Sequence, residues 1–135
     1  MIPIDKFTIQ KHEGRHADRP LKSMLYFNGE ELNFKVPGFV IEKQFELPNY
    51  FLLLINWDCP FEEGCELVIL NKNLEIVGSH SFVPSFTSYL LSSVSELSDN
   101  HYKLVFNESD CFELSINYPK RNLFNKVVSV SKITV

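Results

Sequence analysis

Two apolar runs dominate the hydrophobic pattern, residues 50–57 (YFLLLINW) and residues 66–70 (ELVIL). The first is apolar at successive positions, as in a strand at the centre of a sheet covered on both faces. Residues 39–47 instead alternate Phe39, Ile41, Lys43, Phe45 and Leu47 with Val40, Glu42, Gln44 and Glu46, the pattern of a half-buried strand. Asn28-Gly29 separates residues 21–27 from 30–34. That pair tolerates two successive positive φ angles and predicts a type I′ hairpin. Further strands are expected at residues 4–10, 74–83, 87–96 (where weak alternation also admits a short helix), 102–106, 111–118 and 126–135. Turns fall at 71–73, 98–100 and 107–110, breaks at Pro37-Gly38, Pro48-Asn49 and Pro84-Ser85, and a linker at 119–125. About ten short strands at regular spacing predict an all-β fold. The expected form is an antiparallel meander in one domain over residues 1–135, folded into a two-layer sandwich or a curled, barrel-like sheet.

Composition points the same way. Twelve Phe and five Tyr stand against one Ala, Ala17, the best helix former. Charge adds a direction. Residues 1–48 carry seven basic and seven acidic groups. Residues 49–113 carry two basic and ten acidic ones, a balance of −8, and residues 114–135 carry four basic and no acidic ones. An acidic middle excludes nucleic acid as the expected partner, because phosphate binding needs clustered Lys and Arg. Three cysteines (Cys59, Cys65, Cys111) and no secretory signal predict reduced thiols in a cytoplasmic protein. The longest apolar run is too short to span a bilayer, so no membrane partner is expected.

His12-Glu13-Gly14-Arg15-His16 matches HExxH, in which a packed helix turns two His towards one zinc ion. Gly14 weakens a helix, Pro20 follows closely, and no face is apolar. A solvated loop is the expected state, with a zinc hydrolase as the lesser alternative. Cys59 and Cys65 are too widely spaced for a zinc ribbon. A nucleophilic Cys59 would need His80 or His101 as base, inside a ring of carboxylates that blunts a thiol. Adjacent Glu62 and Glu63 make a poor acid–base pair. No constellation assembles catalysis; no enzyme activity, metal or cofactor is expected, and a binding function is.

The stretch WDCPFEEG, Trp57 to Gly64, resembles a loop of small bacterial immunity proteins from toxin–immunity pairs, including those of type VI secretion. The layout around it, from PGFVIEKQFEL through SYLLSSVSEL to YKLVFNESDCFELSINY, extends the resemblance over residues 36–118. The resemblance implies a non-catalytic protein that binds and blocks a cognate toxin acting in the cytoplasm. Acidic residues would steer such an inhibitor to a basic active-site face. The expected contacts are Asp58, Glu62, Glu63 and Glu66 with Phe61 as apolar anchor, extended by Glu108 and Asp110. The same loop can be read as a tight structural turn, with Asp58 bonded to nearby backbone and Trp57 in the core. A ligand- or carbohydrate-binding β module is the other alternative; it requires an exposed aromatic row, for which Tyr26, Tyr50 and Tyr89 are the candidates.

Overall fold

The doubly apolar run forms the middle of a sheet, and both of its faces are covered. The computed structural model describes residues 1–15, 19–59, 63–84, 88–120 and 126–133, and every regular element among them is a strand. In chain order these are β1 (Ile2–Pro3), β2 (Phe7–Ile9), β3 (Lys22–Phe27), β4 (Glu30–Pro37), β5 (Val40–Glu46), β6 (Tyr50–Asn56), β7 (Cys65–Asn71), β8 (Ile76–Phe82), β9 (Leu91–Ser98), β10 (His101–Phe106), β11 (Asp110–Ile116) and β12 (Val128–Ile133). They pair antiparallel in three sheets: a central one ordered β1-β5-β6-β7-β8, one of β2-β3-β4, and one of β12-β11-β10-β9. No sheet closes into a barrel.

The two cores explain the layering. Even-numbered side chains of β6 and odd-numbered ones of β7 (Leu52, Leu54, Leu67, Ile69) pack with Tyr102, Leu104, Phe106, Leu114 and Ile116 from the four-stranded sheet. The opposite set (Phe51, Leu53, Ile55, Val68, Leu70) packs with Phe7, Leu25 and Val36 from the three-stranded sheet. The expected sandwich therefore has three layers instead of two. Strands with apolar residues on both faces have two surfaces to bury, and one covering sheet can bury only one of them.

Local chemistry fixes the joints. Asn28 and Gly29 both take positive φ, as the type I′ turn requires. Gly38 has φ +102, and a Cβ there would overlap the Ile55 side chain and approach the Asn56 carbonyl. Only glycine lets the chain pass from β4 to β5 so close to β6. Gln44 joins two layers: its Oε1 accepts from the Phe7 N–H at 2.9 Å and its Nε2 donates to the Phe7 carbonyl at 2.9 Å. At the far end of the other core, Tyr50 and Tyr102 share a hydroxyl–hydroxyl bond of 2.6 Å, and Tyr50 also donates to Asn100. Burial pushes both phenols above their ordinary range.

Candidate functional site

The loop joining β6 to β7 is organised around the carboxylate of Glu63. One oxygen accepts the Trp57 N–H at 2.5 Å and the other accepts the Cys59 N–H at 2.6 Å. The residue is 6 % exposed. Its own backbone is held as well, its N–H donating to Ser88 Oγ at 2.7 Å and its carbonyl accepting from the Tyr89 N–H at 2.7 Å. Glu66, 8 % exposed on β7, accepts from Trp57 Nε1 at 3.3 Å and from the Ser81 hydroxyl at 2.5 Å. Glu63 and Glu66 were expected to present charge to a partner. Their carboxylates instead turn inward, because the loop's backbone and indole N–H groups need acceptors where water is excluded. Burial, followed by the charges of Glu42, Glu66 and Glu63, pushes the Cys65 thiol well above its ordinary range.

The outer surface of the loop is different. Asp58 occupies left-handed backbone, φ 50, and its side chain is 61 % exposed, 3.8 Å from the Arg19 guanidinium. Asn56 Oδ1 accepts the Asp58 N–H at 2.9 Å, and the backbone N–H groups of Trp57 and Cys59 on either side go to Glu63. Trp57 is half-buried; its ring meets Phe39 edge-on at 5.2 Å. Phe39 in turn meets His12, and the Arg19 guanidinium lies 5.5 Å from its centroid. Phe61 and Glu62 lie outside the described residues.

The second acidic turn comes to the same end. Asn107 Nδ2 donates to the Ser88 carbonyl at 2.7 Å, its Oδ1 accepts the Leu90 N–H, and its own N–H donates to the Leu90 carbonyl. Residues 88–90 therefore bond to Glu63 on one side and to the β10–β11 turn on the other. Glu108, in that turn, is exposed at φ 64. Asp110 is half-buried, with Lys132 at 4.0 Å. Two residues at this end had no sequence signal. Glu42, placed by the β5–β6 pairing, accepts from Asn56 Nδ2 at 3.3 Å, and Arg19 arrives from the distant 11–20 segment.

The other candidates separate. Residues 11–15 are not helical, His12 Nε2 bonds Ser23 Oγ at 2.8 Å, and His16 lies outside the described residues. Ser23 spends its one hydroxyl proton on the Gly38 carbonyl at 2.7 Å, so His12 is the donor in that pair. Among the described residues no group of three His, Cys, Asp or Glu is placed to hold a metal. His80 rests on Phe82, and His101 sits 3.5 Å from Glu113. All three cysteines are unbridged. Tyr50 is buried and Tyr89 packs on Phe106 and Phe112, so Tyr26, Tyr50 and Tyr89 make no exposed row. No described helix is long and apolar enough to cross a membrane. No family model, curated protein or solved structure matches the chain.

Proposed function

We propose that the chain is a non-catalytic immunity protein that binds a cognate toxin acting in the bacterial cytoplasm and covers the toxin's basic active-site face. One observation carries this reading: residues 88–90 hydrogen-bond to both acidic turns, bringing Asp58, Glu108 and Asp110 to one end of the sandwich. Glu42 adds a fourth outward carboxylate there. Glu63 and Glu66 take a supporting role, holding the loop that presents Asp58. Arg19, 3.8 Å from Asp58, has a side chain only 14 % exposed. Lys132 stands 4.0 Å from Asp110, and such a surface pair contributes only about 0–1 kcal/mol. Exchanging Lys132 for a toxin's Lys or Arg is therefore inexpensive. Asp58 and Glu108 both sit in left-handed backbone, which Asp tolerates but which costs a residue such as Glu about 1–2 kcal/mol. A surface that selects only for stability would place Gly, Asn or Asp at position 108.

The test is co-expression with the toxin domain encoded beside this gene, followed by kinetics with the purified pair. Asp58→Lys with Glu108→Lys should abolish growth rescue and lower the association rate by about tenfold or more at low salt. The difference should shrink as salt screens the encounter. An unchanged association rate and salt slope in a folded double variant refutes the reading.

A further inference from the structure

The three-stranded sheet is too narrow for the five-stranded sheet it covers. β2 lies over β5, tied there by Gln44, and β3 and β4 follow towards β7. β4 ends its sheet beside the β7–β8 turn, with no strand among the described residues on its outer edge. A groove of about 470 Å³ opens at that place. Leu32, Phe34, Leu74 and Ile76 form its apolar lining, and Glu31 and Glu75 stand on it as carboxylates. Leu32, Phe34 and Leu74 are partly buried against the adjoining core, so the groove is an open seam of that core. Ile76 is 43 % exposed.

We infer that this groove takes an extended, positively charged segment of a partner protein, which adds to β4 as a fourth strand of the narrow sheet. An edge strand carries a row of N–H and C=O groups that only another strand satisfies in register. A strand laid beside β4 would cover the exposed part of the central sheet. Its side chains alternate, so one set reaches the apolar lining while the other stays at the rim. The rim sets the sign of charge. Among the described residues two carboxylates line the groove and no Lys or Arg does. Lys72, in the same turn, is engaged elsewhere, 2.8 Å from Glu46 and 4.3 Å from the Phe51 ring centroid. β4 also opposes three residues, Leu32 to Phe34, to Leu25 alone, a bulge that re-aims side chains at this edge. The groove and the acidic loop sit at opposite ends of β7, roughly 20 Å apart. This site is therefore independent of the toxin-binding end and does not rest on that reading.

The probe is a fluorescein-labelled decapeptide of alternating Lys and Val, titrated into the full chain and followed by anisotropy. Glu31→Lys with Glu75→Lys, its fold verified by circular dichroism, should weaken binding by about tenfold or more. N-methylation of alternate peptide amides should abolish binding to the parent chain, because it removes strand pairing without changing charge. Asp58→Lys with Glu108→Lys should leave the affinity unchanged. Equal binding by the N-methylated peptide, or by a decapeptide of alternating Glu and Val, overturns the inference. Loss of binding in the Asp58/Glu108 variant also overturns it, by showing general acidic attraction. So does sedimentation showing a dimer that the Glu31/Glu75 variant dissolves, which would assign the groove to a second copy of the chain.

Discussion

Replacing Glu63 by Gln tests whether one buried carboxylate holds the β6–β7 loop. The side chains match in shape, so no cavity forms. The amide keeps one acceptor oxygen and turns an NH2 group towards a second backbone donor, at either Trp57 N or Cys59 N. Losing a charge-assisted hydrogen bond costs about 1.5–3 kcal/mol, and a buried donor facing a donor costs about 1–3 kcal/mol. The two overlap, and a total of about 2–4 kcal/mol is expected. For a domain of this length the melting temperature should fall by about 7–14 °C. Trp57 is the sole tryptophan and packs at the loop itself, so urea unfolding followed by its fluorescence reads local and global loss together. Circular dichroism separates them: a fluorescence transition preceding the far-ultraviolet one means that the loop opens first. Glu108→Gln, at an exposed side chain, should change stability by less than about 0.5 kcal/mol. If Glu63→Gln also unfolds within about 0.5 kcal/mol of the parent at equal m-value, the loop is not built on that carboxylate.

Two further outcomes follow from buried groups. Burial holds the His80 imidazole below its ordinary range, Glu66 opposing that shift and Lys126 adding to it. As pH falls through about 6.5 the unfolded chain takes up the proton first. Stability should therefore decline from pH 7 towards pH 5, and His80→Gln should flatten that decline in urea midpoints. Gly38→Ala combines a positive φ with overlap on Ile55 and should destabilise by about 2–4 kcal/mol, read from the same unfolding curves.

The sequence carried the strands better than their stacking. Asn28-Gly29 announced its turn because few residue pairs accept two positive φ angles. Residues 50–55 announced a central strand because every position was apolar. That pattern demands a cover on each face, but it does not name the covers, and a third layer built by residues 7–37 stayed hidden. Weak alternation blurred residues 87–96; β9 is an edge strand with bulges at both ends, so its periodicity is broken where it would be read. Charge was legible as a count but not as a direction. Glu63 counts among the expected partner contacts, yet it points inward, where its carboxylate accepts the Trp57 and Cys59 backbone N–H groups. Arg19 and Glu42 reach the acidic end through long-range pairing, which no local pattern encodes.

The doubly covered central strand carries a hazard that ordinary half-buried strands avoid. Sliding such a half-buried strand by one position throws polar groups into the oil, and the error is rejected at once. Sliding β6 would exchange Leu52 and Leu54 for Phe51 and Leu53, one greasy set for another. Alignment must then be policed from the strand's extremities. The Tyr50 hydroxyl finds Tyr102 and Asn100 only in the native frame, and the Trp57 amide meets Glu63 only there. Variants that silence both anchors should populate a misaligned sheet that keeps its secondary structure while losing its single set of side-chain environments.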